Sequence, residues 1–224
     1  MSVWAILVAA GSGERLGLGR PKAFASLNGR PLLAEPLERL DASEWIDGIV
    51  VAAPPEWEEP CILVAEEVAA GKVAKAVTGG PTRSESVRAA LAEVPEDATV
   101  VLVHDAARPL VTAEVIERVV TALGDGWDGA VPVLPVSDTV KRLDGETVAE
   151  TLDREGLATA QTPQAFVAPV LRDAFSTLQQ TVTNSTDCAS LVEAKGGRVR
   201  AVDGDPRLVK VTTRADLELV ESWL

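Results

Sequence analysis

Three short stretches hold residue types whose spacing could do chemistry. The first, Ala9-Ala10-Gly11-Ser12-Gly13-Glu14-Arg15-Leu16-Gly17, is followed closely by Pro21-Lys22. Small residues let a backbone approach a ligand and turn its N–H groups toward an anion, while Arg15 and Lys22 bring the positive charge that phosphates need. No Gly-Lys-Ser/Thr follows, so this is not a P-loop, and Gly17 comes one residue late for a dinucleotide fingerprint. The competing reading of the stretch on its own, a surface loop with solvated charges, is the weaker of the two. The second is Gly79-Gly80 with Arg83 and Ser86 beyond it. Two glycines after a strand suit a site that reads a planar base through backbone groups, and they suit a tight turn with a helix cap as well. The third is His104-Asp105-Ala106-Ala107-Arg108-Pro109. Its carboxylate can address sugar hydroxyls and its guanidinium a phosphate. His104 could act as a base, but no partner nucleophile accompanies it, which favours an orienting role.

Apolar, β-branched runs alternating with helical patterns must position these stretches. Strands are predicted at Val3–Ala9, Gly48–Ala52, Val73–Val77, Thr99–Val103 and Ala130–Leu134, the first, third and fourth ending where a stretch of interest begins and the second ended by Pro54-Pro55. Helices are predicted over Pro31–Leu40 with a break near Pro36, over Glu56–Ala70, and from Thr82 to about Val94, where Thr82 and Glu85 have capping-box spacing. Another starts at Thr112. This alternation implies an α/β protein with a doubly wound, mostly parallel sheet. From Val136 to Ala165 the pattern loses helical period, and Asp144-Gly145 between two alternating segments signals a hairpin. So polar an arm, residues 136–156, protruding from an apolar body, is expected to pack on a second subunit. Beyond it come helices at Ala168–Thr177 and after a Thr186 cap, strands at Arg198–Val202 and Val209–Val211, and a closing helix from Arg214. No domain boundary is placed within residues 1–224.

Composition removes several functions. The 224 residues carry 21 Lys+Arg against 34 Asp+Glu, a formal charge of −13 that argues against a nucleic-acid or anionic-membrane surface. One histidine excludes most His-ligated metal sites, and two cysteines without zinc-ligand spacing fit a reducing compartment. The apolar start lacks a basic flank and runs straight into the glycine loop, so the expected location is the cytoplasm. If this chain handles phosphates, it does so with a few placed cations.

In order along the chain, Ala9-Ala10-Gly11-x-Gly13-x-Arg15, Pro21-Lys22, Gly79-Gly80-x-x-Arg83-x-x-Ser86, His104-Asp105-Ala106-Ala107-Arg108-Pro109, Asp138-Thr139-Val140-Lys141, Asp153-Arg154, Gln161-Thr162-Pro163-Gln164, Thr186-Asp187 and Lys210-Val211-Thr212 closely resemble the 2-C-methyl-D-erythritol 4-phosphate cytidylyltransferases of the non-mevalonate isoprenoid pathway. Two departures stand out: Ala23 where the family commonly has Gln, and Cys188 where an acidic residue usually follows Thr-Asp. The resemblance implies a Rossmann-like nucleotidyltransferase fold that joins CTP, with Mg²⁺ carried on it, to a sugar-alcohol phosphate. It implies catalytic roles for Arg15, Lys22, Arg154 and Lys210. Ala9, Ala10, Gly11, Gly13, Gly80, Ser86, Asp105 and Ala106 would bind the nucleotide. Asp105, Arg108, Thr139, Arg154, Thr162, Thr186 and Lys210 would bind the acceptor, with plain strand and cap roles the lesser reading for Thr139 and Thr186. The arm would reach a neighbouring subunit in a homodimer. A transferase for another polyol phosphate, such as ribitol 5-phosphate, would use the same loop, Asp105 and Lys210. A non-catalytic nucleotide-binding module has little need for four cations from distant segments.

Overall fold

The computed structural model describes residues 1–17, 19–176 and 185–224, without the Arg15 side chain. Four strands form the parallel centre: β1 (Val3–Val8), β4 (Gly48–Ala53), β5 (Val73–Thr78) and β6 (Val100–Asp105). β1 pairs in parallel with both β4 and β6, so the chain runs outward from β1 to β4 and β5, then returns to β6 on the other side of β1. Beyond β6 lie β11 (Gln164–Val167), β7 (Gly129–Pro135) and β12 (Val199–Asp203), with β10 (Ala158–Ala160) also on β7. β11 and β10 are antiparallel to their neighbours and β12 is parallel to β7. Two-residue strands β2 (Ser26–Leu27) and β3 (Arg30–Pro31) pair separately. This is the doubly wound, mostly parallel sheet that the alternation implies.

β1, β4 and β6 are buried on both faces while β5 forms the edge, and the side chains of the buried strands alternate between two cores. Ala5, Leu7, Leu102 and Val51 pack under α1 (Ala34–Asp41), α2 (Glu58–Glu67) and α4 (Ala113–Thr121). Ile6, Val101, Val103 and Val50 pack under α3 (Arg83–Leu91), α5 (Ala168–Ser176) and α6 (Cys188–Ala194). A helix α7 (Arg214–Glu221) closes a smaller cluster with Leu110 and Val211.

Several predicted bounds are corrected. α1 starts at Ala34 and runs unbroken through Pro36, which sits in the first turn where its missing N–H leaves no helical bond unmade. α2 is shorter than Glu56–Ala70 because Glu56 (φ +68°) and Ala69 (φ +53°) both adopt left-handed backbone and bracket it. α3 stops at Leu91, since Val94 precedes Pro95 and the ring disfavours helical backbone there. Asp187, not Thr186, caps α6 by accepting from the Ser190 N–H at 3.0 Å. Val209–Val211 is no strand: it meets a loop instead of a strand edge, with Val211 N–H donating to the Ala107 carbonyl at 2.8 Å. Thr177 of the predicted fifth helix lies outside the described residues.

The hairpin forms as read, from β8 (Val140–Asp144) and β9 (Thr147–Leu152), paired antiparallel around Gly145. It is separate from the main sheet, and Leu143 and Val148 face each other across it while 64% and 54% exposed. Among the described residues no helix is long and apolar enough to cross a membrane.

Candidate functional site

The parallel strands end along one edge, and the loops of interest leave from it. Val8 stands in register with Asp105, the Ala9 N–H donates to the Ala52 carbonyl, and the Ala106 N–H donates to the Val8 carbonyl. The order of strand addition reverses between β5 and β6, on either side of β1, and a crevice opens there, as open α/β sheets do at such switch points. A cavity of about 600 Å³ occupies it, a volume suited to a nucleotide-sized ligand. Of the residues proposed from sequence, Ala9, Ala10, Gly11, Lys22, Gly80, Ser86, Asp105, Ala106 and Lys210 line it.

Backbone close to a ligand needs space. A Cβ on Gly79 would stand 2.4 Å from the Ala10 Cβ and 2.9 Å from the Ser86 hydroxyl, so only glycine lets the first and second loops meet. The capping box at Thr82 and Glu85 fixes the start of α3. One turn on, Ser86 accepts from the Gly80 N–H at 3.1 Å and donates to the Thr82 carbonyl at 2.9 Å, shaping the glycine turn from below. Gly13 (φ +74°) lets the first loop fold back on Lys22.

The cations gather around one carboxylate. Arg83 Nε donates to Asp105 Oδ1 at 2.8 Å, and Lys210 Nζ donates to Oδ2 at 2.7 Å. Burial alone would raise the Asp105 carboxyl, but the two adjacent charges outweigh it and hold it well below the usual carboxylate range. Lys22 Nζ donates to the Val211 carbonyl at 2.9 Å, one residue from Lys210. Two lysines from opposite ends of the chain thus converge on the mouth of the first loop.

His104 lies beneath this group, fully buried. Its Nε2 stands 3.0 Å from the Arg108 carbonyl, which can only accept, so Nε2 carries the proton. Nδ1 then accepts from the Thr162 hydroxyl at 3.1 Å, and that oxygen accepts from the Asp105 N–H at 3.0 Å. Burial pushes the imidazole down to about 4. Both nitrogens are used within the fold, so His104 orients the Asp105 backbone and has none left for a base.

Other proposed residues stand outside the cavity. Thr162 supports Asp105 from behind. The Arg108 guanidinium donates to the Leu208 and Ala160 carbonyls at 2.5 and 3.4 Å, clamping the segment that carries Lys210. Thr186 is exposed beside α6. Thr139 and Arg154 flank the hairpin, also exposed, and Arg154 donates to the Ser137 carbonyl at its base. The Arg15 side chain lies outside the described part of the structure. Among the described residues no three His, Cys, Asp or Glu gather as a metal site.

Arg83 received no role from the sequence, yet it lies in the cavity wall against Asp105. The signal was its position in the first turn of the helix after Gly79-Gly80, where a side chain points back toward the strand ends.

The model of the family described as 2-C-methyl-D-erythritol 4-phosphate cytidylyltransferase matches residues 3–224. Proteins of that name from Saccharopolyspora erythraea and Frankia casuarinae are each 44% identical, over 100% and 99% of this chain and 100% and 81% of their own. The crystal structure of the protein of that name from Thermus thermophilus is 34% identical, with a TM-score of 0.80 over 100% of this chain and 98% of that one.

Proposed function

This chain belongs to the 2-C-methyl-D-erythritol 4-phosphate cytidylyltransferase family, and on that footing we propose how its residues carry out the reaction. The enzyme transfers a cytidylyl group from CTP to 2-C-methyl-D-erythritol 4-phosphate, a step of isoprenoid precursor synthesis. An oxygen of the acceptor phosphate attacks the α-phosphorus, the bond from that phosphorus to the bridging oxygen breaks, and pyrophosphate leaves with the electron pair.

The observation that carries the assignment of roles is the convergence of Lys22, Lys210 and Asp105 on a cavity otherwise lined by small residues and backbone. A phosphate monoester has a second pKa of about 6 and is already dianionic at neutral pH, so no base is needed. That matches a site whose one imidazole is buried and engaged. The task left to the protein is to bring anions together and to hold charge that develops in line, which placed cations do. Lys22 and Arg15 stabilise the triphosphate and the transition state. The backbone of Ala9, Ala10, Gly11 and Gly13 lies along the nucleotide, Gly80 with Ser86 beneath it reads the cytosine edge, and Asp105 with Ala106 sits at the ribose. Lys210 orients the attacking phosphate.

Mg²⁺ carried on the triphosphate would supply neutralisation of phosphate charge. The site fits a substrate-borne ion better than a resident one, because both Asp105 oxygens are already held by cations. Thr139, Arg154 and Thr186 complete acceptor binding, the first two across a homodimer, while Arg108 and Thr162 serve it indirectly by holding the Lys210 segment and Asp105 in place. Leu143 and Val148, apolar and exposed on a two-stranded ribbon, support that arrangement, since such a ribbon is marginal alone in water. Residues 1–224 act as one unit, with 136–156 as the arm. The free thiols Cys61 and Cys188 suit a cytoplasmic setting.

Pyrophosphate release with CTP, ATP, GTP and UTP, each against methylerythritol phosphate and ribitol 5-phosphate, tests the reading. Turnover confined to CTP with methylerythritol phosphate is expected. Preference for ribitol 5-phosphate would overturn the acceptor, and no turnover with any pair would favour a binding module.

A further inference from the structure

Asp105 is held by two cations of very different placement. Its own side chain is 8% exposed and that of Arg83 is 19%, whereas Lys210 is 40% exposed to the cleft. Arg83 is the first residue of α3, fixed there by the Thr82 capping box. On its far side Nη1 touches the buried Cys188 Sγ at 3.6 Å, and Nη2 is buried without a hydrogen-bond partner. Burial pushes the Cys188 thiol up to about 11, so it is neutral at ordinary pH. An acidic residue at 188 would compete for Arg83; the thiol does not. The full charge of Arg83 is therefore committed to Asp105.

We propose that Arg83 is a positioning residue for the acceptor phosphate: by neutralising Asp105 from the interior it lets Lys210 leave that carboxylate and turn to the phosphate. Two cations on one carboxylate leave one net positive charge facing the cleft. Without Arg83, Lys210 and Asp105 form a closed neutral pair, and drawing Lys210 away strands a buried carboxylate without an ion-pair partner, which is strongly unfavourable. Lys210 is the mobile member because it alone is well exposed. Arg83 is the fixed one because two helices hold it. The inference rests on the role given to Lys210 above.

The test is steady-state pyrophosphate release, with KM for CTP and for methylerythritol phosphate determined separately, for wild type, Arg83→Gln, Arg83→Lys, Asp105→Asn and the double variant Arg83→Gln/Asp105→Asn. Arg83→Gln is expected to raise the acceptor KM at least about tenfold while the CTP KM stays within about twofold, the split that a loss of acceptor binding produces. Arg83→Lys, which keeps the charge, is expected to remain within about threefold of wild type. In the Asp105→Asn background, with no carboxylate to neutralise, removing Arg83 is expected to change the acceptor KM by less than about threefold, so the two changes are non-additive. A merely structural arginine would lower both affinities together and would act equally in both backgrounds; either result overturns the inference. Should Arg83→Gln fail to fold, Asp105→Asn against the double variant still decides, because neither contains a carboxylate left to one partner. Wild type without turnover would strike at the assigned reaction itself and take the inference with it. Wild-type turnover with an unmoved acceptor KM in Arg83→Gln would overturn the inference alone.

Discussion

His104 shows how one side chain can fix a site without entering it. The relay from the Asp105 N–H through Thr162 to Nδ1, and from Nε2 to the Arg108 carbonyl, needs a neutral ring. Its folded value of about 4 lies below the ordinary 6.5, so as pH falls the unfolded chain takes up a proton first. Stability from this group is thus fully present above about pH 6.5 and is lost as pH falls toward 4, by up to roughly 3 kcal/mol. Urea unfolding across that window is expected to show the loss in wild type and a flatter profile in His104→Asn; parallel profiles would contradict the relay. The sequence marked His104 as an orienting residue because no nucleophile accompanied it. It placed Arg83 in the first turn after Gly79-Gly80 but could not show its partner, since the pairing with Asp105 joins residues 22 positions apart on a helix and a strand. Nor could it show that Arg108 clamps carbonyls, because a guanidinium that binds phosphate and one that binds backbone look alike in a sequence.

Secondary-structure elements carry the site through their ends. β1, β4, β5 and β6 were legible from β-branched runs, the cap at Thr82 from its spacing with Glu85, and that at Thr112 from its residue type. The misplaced limits have different causes, among them left-handed backbone at Glu56 and Ala69, where no glycine announces it, and a segment at Val209–Val211 that meets a loop. What periodicity cannot register is how close two loops come. Gly79 separates the first loop from the second, and an added methyl there meets Ala10 Cβ at 2.4 Å. Gly79→Ala is expected to force the loops apart, costing about 1–3 kcal/mol of stability as overpacking does, and to raise the KM for CTP. Isothermal binding of CTP at wild-type strength in that variant would show that the two loops do not jointly enclose the nucleotide.

The whole molecule joins an α/β body to an arm whose two strands, among the described residues, pair only with each other. Its Asp-Gly turn and its polarity were readable, and the exposed Leu143–Val148 pair adds the apolar contact that a partner would cover. If Arg154 serves a neighbouring subunit, variants at Lys22 and Arg154 must complement each other. Lys22→Ala and Arg154→Ala, each nearly inactive alone, are expected to regain about a quarter of wild-type turnover when mixed and reassorted, because half of the dimers are mixed and each of these keeps one intact site. No recovery, with mixed dimers demonstrated by mass, would place Arg154 at its own chain's site. The central claim is that placed cations at the carboxyl edge of the sheet lower the barrier to cytidylyl transfer, and Lys22 tests it. With CTP and methylerythritol phosphate both saturating, Lys22→Ala is expected to release pyrophosphate about 10²–10³-fold more slowly than wild type, the loss that follows removal of one preorganised charge. A fall of less than about tenfold would show that Lys22 does not stabilise the transition state and would contradict the account.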